Sequence, residues 1–159
     1  MEFLWEDLLF FVTVIIDLYF LIFGYTKKVE IAEFKYFQFY YSTGNAINSN
    51  VRYTIRLDDG YYATIKLDGI SEENAVVVPV DDDIINDILN VLKKYDVNKW
   101  NGFDKADDRV LDGNNFNLNI IMKNNNRLLA AGYMKWPNNY NKVKKELDVI
   151  FNNLNKDKE

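Results

Sequence analysis

The chain has 159 residues, the length of one domain with a short appendage, and carries a net charge of −5 with 48% hydrophobic and 16% aromatic residues. It contains no Cys and no His. That excludes disulfides, thiolate nucleophiles, Cys-based zinc sites, lipidated cysteine and the side chain best matched to proton transfer near neutral pH. The excess of 24 acidic over 19 basic residues, the latter scattered, argues against nucleic acid as a partner, because phosphate binding needs clustered cations.

The N-terminus is strongly apolar. Leu8 to Tyr25 reads LLFFVTVIIDLYFLIFGY, interrupted by Thr13, Asp17 and Gly24, and its length reaches the lower range for spanning a bilayer. Its Leu, Ile, Phe and Val residues together favour insertion by about 4 to 8 kcal/mol, against about 2.5 to 3.5 kcal/mol for a central Asp. The sequence therefore predicts a membrane helix within residues 1–28, with a helix docked on the domain and a degenerate leader as the alternatives. On a helix, Glu2, Glu6, Thr13, Asp17, Gly24 and Lys28 fall within about 40° of one line. Thr13, Asp17 and Gly24 form the part of this stripe that a partner helix, most simply a second copy, would meet. The pair Lys27-Lys28 after the run favours a cytoplasmic domain by the positive-inside rule.

Residues 29–159 read as a single α+β domain. Phe37, Phe39 and Tyr41 alternate with Gln38 and Tyr40, the period of a half-buried strand. Ser42 to Asn50 reads as a loop. Val51, Tyr53, Ile55 and Leu57 alternate with Arg52, Thr54 and Arg56; Tyr61, Ala63, Ile65 and Leu67 alternate with Tyr62, Thr64 and Lys66. Opposite residues of an antiparallel pair share a face, so parity selects a three-residue loop, Asp58-Asp59-Gly60, with Leu57 opposite Tyr61. Such a loop calls for a left-handed third residue, which predicts positive φ at Gly60.

Ala75 to Val80 is a short strand that Pro79 confines to a sheet edge. Asp81, Asp82 and Asp83 then start a helix whose buried face is Ile84, Ile85, Ile88, Leu89, Leu92 and Tyr95. Asp96 to Asn115 reads as a long connection. A second hairpin runs from Phe116 to Met134 around Asn124-Asn125-Asn126, with its register undetermined because both parities place apolar residues together. Trp136-Pro137-Asn138 opens a last helix that buries Val143, Leu147, Ile150, Phe151 and Leu154 and turns Lys144, Lys145, Asp148 and Asn152 to water. The expectation is an antiparallel sheet of five to six strands with two amphipathic helices on one face, preceded by the N-terminal apolar helix.

No motif carries a reaction. The acidic runs Asp81–Asp83 and Asp104 to Asp112 lack the alternating spacing of a calcium loop and are better explained as helix capping and loop chemistry. Ser42, Thr43 and Ser71 have no His to activate them, and no phosphate-cradling or dinucleotide fingerprint occurs, so no cofactor or metal is expected. The remaining feature is aromatic. Tyr36, Tyr40 and Tyr62 fall on strand faces opposite the apolar side, while Trp100 and Trp136 lie at element ends. Exposed together they would make a platform for a glycan, peptide or protein; otherwise the tryptophans close the ends of the core and the tyrosines pack under the N-terminal segment.

At Trp100-Asn101-Gly102-Phe103, Leu111-Asp112-Gly113, Phe116 and Gly132-Tyr133-Met134-Lys135-Trp136-Pro137, the chain resembles a group of uncharacterised domains of Gram-positive, chiefly clostridial, bacteria that often follow a lipoprotein signal. The resemblance runs from about Phe34 to Leu154. It implies an exported domain and no particular activity, and the chain departs from the group in lacking the lipoprotein cysteine and a basic leader. Set against the Lys27-Lys28 bias, it shifts the expectation to an extracytoplasmic domain. The reading is a non-enzymatic, membrane-tethered interaction domain. The alternatives are a hydrolase-like enzyme working with carboxylates alone and a soluble inhibitor or immunity-type protein.

Overall fold

A computed structural model describes residues 29–42, 50–67 and 75–156. In chain order these form β1 (Phe34–Ser42), β2 (Val51–Leu57), β3 (Tyr61–Leu67), β4 (Val76–Val80), α1 (Asp82–Lys94), a 3-10 turn (Val97–Trp100), β5 (Phe103–Ala106), β6 (Asn115–Met122), β7 (Arg127–Tyr133) and α2 (Tyr140–Lys156). The strands make one seven-stranded sheet in the order β4-β3-β2-β1-β6-β7-β5. All neighbours are antiparallel except β5 and β7. The expected α+β class, the antiparallel hairpins and the two helices are present. The apolar segment Leu8 to Tyr25, with Thr13, Asp17 and Gly24, lies outside the described residues.

The sheet exceeds the expected five to six strands because residues 96–115 are not simply a connection. Strand β5 is four residues long with one large apolar side chain, Phe103, so no alternation announces it. It forms because the chain is delivered to β7 from both ends. Gly102 donates to the Leu129 carbonyl at 2.9 Å, Asp107 donates to the Tyr133 carbonyl at 2.9 Å, and the Asn101 side chain accepts from Leu129 N–H at 3.1 Å. Gly102, at φ 78°, makes the turn from the 3-10 segment into the strand.

Strand β1 is central. It pairs with β2 from Tyr36 to Tyr41 and with β6 from Phe34 to Ser42, so Ser42, expected to open a loop, belongs to the strand. A register shift between Phe34 and Tyr36 breaks the period of two and turns both Phe34 and Phe37 inward, where each is fully buried. Phe37, Phe39 and Tyr41 meet α2: the Phe37 and Phe151 rings are 6.2 Å apart and the Phe39 and Tyr140 rings 6.1 Å. Tyr53 of β2 stacks on Phe151 at 4.2 Å. The inward residues of the other strands and the apolar faces of both helices complete one core.

The edge position of β4 meets the Pro79 expectation. Asp81 caps α1, its carboxylate accepting the Ile84 N–H at 3.1 Å, and Asp82 and Asp83 occupy the first turn. The first hairpin has the predicted register, with Leu57 opposite Tyr61 and Ile55 opposite Ala63. Gly60, however, does not take positive φ. The loop closes instead through Asp58 N–H donating to the Gly60 carbonyl at 3.0 Å. The left-handed device appears in the second hairpin, where Asn125 at φ 66° follows a turn closed by Asn125 N–H to Met122 O, and Met122 N–H bonds Asn126 O. That loop fixes the second register, with Phe116 opposite Gly132 and Ile120 opposite Leu128.

Two glycines give contrasting expectations. A Cβ on Gly132 would collide with the Lys135 carbonyl and come within 2.5 Å of the Phe116 ring, whereas nothing lies within 4 Å of one on Gly60. Gly132→Ala should lower stability by about 1–3 kcal/mol in denaturant unfolding. Gly60→Ala should be neutral or stabilise by up to about 1 kcal/mol.

Candidate functional site

Because both helices serve the inward side of the sheet, the alternate residues of β1–β3 and β6 form a face that no described helix covers. The strand registers arrange this face in three ladders running across the strands. Arg127, Ile121, Tyr36, Arg56, Tyr62 and Pro79 form one rim. Asn117, Tyr40, Arg52 and Lys66 form the other. Between them run Asn119, Gln38, Thr54 and Thr64.

Gln38, Thr54 and Thr64 of the middle ladder are the floor of a concavity of about 290 Å³, with Tyr36, Arg56, Arg52 and Lys66 along its sides. Thr54 is 8% exposed, sunk below the longer side chains. Arg52 lies over the Tyr40 ring at 5.8 Å, and the Tyr40 hydroxyl donates to Asn50 Oδ1 at 3.3 Å. Tyr62 donates to Asp59 Oδ1 at 3.0 Å; this bond, with the Asp59 charge, raises the phenol's pKa. Asn119, next to Gln38 in the same ladder but beyond the lining of the concavity, has an Oδ1 that is buried without a hydrogen-bond partner. Among the described residues no Asp or Glu lines the concavity. The chain is acidic overall, so this is a local inversion of charge.

Tyr36, Tyr40 and Tyr62 therefore stand on one surface, where alternation places them. Trp100 and Trp136 do not join them. Trp100 is buried, its indole N–H donating to the Asn138 carbonyl at 3.0 Å, and it packs edge-on against Phe116. Trp136 is 37% exposed and stacks on Tyr140 at 4.6 Å. Both border a second hollow, with Lys99, Phe103 and Lys105, at the end of the helix-covered side. The five aromatics are split between two surfaces.

Sequence reasoning named Arg52, Thr54, Arg56 and Lys66 only as the polar halves of alternating strands. Their convergence depends on register: a three-residue first loop sets Arg56 against Tyr62 and Arg52 against Lys66. The alternation and the loop length together carried that signal.

A second polar group was also misplaced. Lys144 and Asp148 were expected to face water, yet both are only partly exposed. Asp148 accepts from the Tyr41 hydroxyl at 2.8 Å, the Tyr53 hydroxyl at 2.9 Å and the Lys144 ammonium at 2.7 Å, and Lys144 sits 4.0 Å from the centre of the Tyr41 ring. Helical periodicity gave Asp148 to the solvent side, but the phenol tips of the inward tyrosines on β1 and β2 reach that side of α2. The knot fastens α2 to the sheet. Burial raises the pKa of Tyr41 and of Tyr53, with the bond to Asp148 and its charge reinforcing the shift in each.

Among the described residues three carboxyls are perturbed, all downward. A hydrogen bond from Lys123 lowers Glu33, one from Arg109 holds Asp107 at about 2, and bonds from Lys94 and Tyr95 lower Glu146. Such groups are held ionised in surface pairs, whereas a general acid needs a raised value. Among the described residues no three acidic side chains are grouped so as to hold a metal ion.

No protein-family model matches the chain, and no curated protein is significantly similar to it.

Asp148→Ala strips two half-buried hydroxyls of their acceptor and should destabilise by about 1–3 kcal/mol. The tyrosine shifts add a pH dependence. With folded pKa values raised above the ordinary 10.0, their contribution is intact below pH 10. It is lost as pH rises further, because the unfolded chain releases protons the folded chain retains. Thermal unfolding should fall steeply above pH 10 in the native chain, and less steeply in Tyr53→Phe.

Proposed function

We propose that this protein is a non-enzymatic interaction domain, held at a membrane by its N-terminal apolar segment, that engages its partner through the uncovered face of the sheet. The observation that carries the reading is that face itself. It combines tyrosines, arginines and a lysine around a polar floor, with no carboxylate among the described residues that line the concavity, on a chain of net charge −5. Aromatic and arginine side chains are those that dominate binding energy at interfaces.

The tether rests on the length and apolarity of Leu8 to Tyr25. Among the described residues no helix is long and apolar enough to cross a membrane. On a helix, the stripe Thr13, Asp17 and Gly24 would give that segment a side for a second copy, and the resemblance to exported domains supports a sheet outside the cytoplasm.

Fractionation tests the tether. The full chain should sediment with membranes and resist carbonate and high salt, while a chain beginning at Val29 should be released in soluble form with a cooperative unfolding transition. Release of the full chain by carbonate would overturn the spanning segment. Aggregation of the shorter chain would make residues 1–28 part of the core.

A further inference from the structure

We infer that the trough on the open face of β1, β2, β3 and β6 takes an anionic polysaccharide, a chain of sugar rings bearing carboxylate or phosphate groups. The inference rests on the proposed role of that face as the partner surface and gives the partner's chemistry.

Three features of the trough point to this class. The first is charge. Arg52, Arg56 and Lys66 line the concavity, Arg127 extends one rim, and among the described residues no acid joins them in the lining. Arginine recognises carboxylate and phosphate through paired, planar hydrogen bonds. The two arginines are four residues apart on β2 and so stand roughly 13 Å from each other across the floor. They grip a ligand lying between them from both sides.

The second feature is the floor. Asn119, Gln38, Thr54 and Thr64 offer a row of amide and hydroxyl groups repeating at the strand spacing of about 4.8 Å. That interval is close to the distance between successive rings of an extended polysaccharide, whose hydroxyls both donate and accept. Asn119, beside Gln38 in that row, holds a buried Oδ1 that has no hydrogen-bond partner. The third feature is the rims, where Tyr36, Tyr40 and Tyr62 provide flat rings beside the row.

The same features disfavour other polyanions. A nucleic acid strand stacks its bases on aromatic platforms within its groove, but the tyrosines here stand on the rims and the floor holds none. A bilayer surface meets the rims of a trough and leaves its floor unused.

The test is isothermal titration of the full-length chain, reconstituted in nanodiscs of neutral phosphatidylcholine, with polygalacturonate, neutral dextran, an oligothymidylate and vesicles containing phosphatidylglycerol. Circular dichroism confirms the fold of each variant. The native chain should bind polygalacturonate saturably, with affinity falling as salt rises, and should ignore dextran. The double variant Arg52→Gln/Arg56→Gln should bind roughly tenfold more weakly or worse. Thr54→Val, which removes a floor hydroxyl at constant charge, should weaken binding roughly fivefold. A double variant of Lys142→Gln and Lys145→Gln, exposed residues of α2, should bind as the native chain does. Tighter binding of the oligothymidylate or the vesicles, lost in the arginine variant, would overturn the polysaccharide while leaving the face as the partner surface. Absence of any binding, or binding that the arginine and Thr54 variants leave unchanged, would overturn the inference, and unchanged binding of every polyanion would also remove the face.

Discussion

The fold depends on burying one side of β1. Phe37 and Phe39 have no exposed surface, and Tyr41 is nearly as enclosed. The helix that covers them is held from two directions. Phe151 of α2 is stacked between Phe37 and Tyr53, and Asp148 one turn earlier ties the phenols of Tyr41 and Tyr53 to the same helix. Ring stacking fixes how closely α2 approaches, and the carboxylate fixes its rotation, because the hydroxyls find their acceptor in only one setting of the helix. Helix α1 then packs beside α2, with Glu146 receiving Lys94 and Tyr95 from it.

This commitment has a consequence on the other side. With both helices on one layer, the alternate residues of a seven-stranded sheet remain uncovered by any described element. The sequence meets that exposure with long amphipathic side chains rather than a uniformly charged surface. Arginine, lysine and tyrosine cover the sheet with their stems and rings and keep polar tips at the solvent. Grouped in register they leave a polar furrow between two raised rims. The same arrangement that makes an open sheet face tolerable in water thus makes it a place where an extended anionic ligand lies flat.

Much of this was legible in the chain. Alternation over Phe37–Tyr41, Val51–Leu57 and Tyr61–Leu67 marks strands whose inward and outward sides are unambiguous, and parity alone decides the first hairpin. Asp81 and Pro79 announce a helix start and a sheet edge by chemistry that needs no tertiary information. What escaped was set by contacts distant in sequence. Strand β5 exists through pairing with β7 and has no periodic signal of its own. Gly60 looked like the left-handed residue of its loop, yet the loop closed by another hydrogen bond, and Asn125 took that conformation in the second hairpin. Asp148 looked solvated on a helical wheel because a wheel does not include tyrosines arriving from the sheet. The cationic furrow was present in the letters, but the arginines of one strand and the lysine of the next converge only once the register is known.

The central claim is that the open face carries a partner in the protein's native setting. Nitration of tyrosines followed by mass spectrometry, in native membranes and in the purified full chain, tests it most directly. Tyr36, Tyr40 and Tyr62 should be protected in membranes and become reactive on purification, while Tyr95, on the helix-covered side, reacts alike in both. Equal reactivity of the three face tyrosines in the two settings would contradict the account.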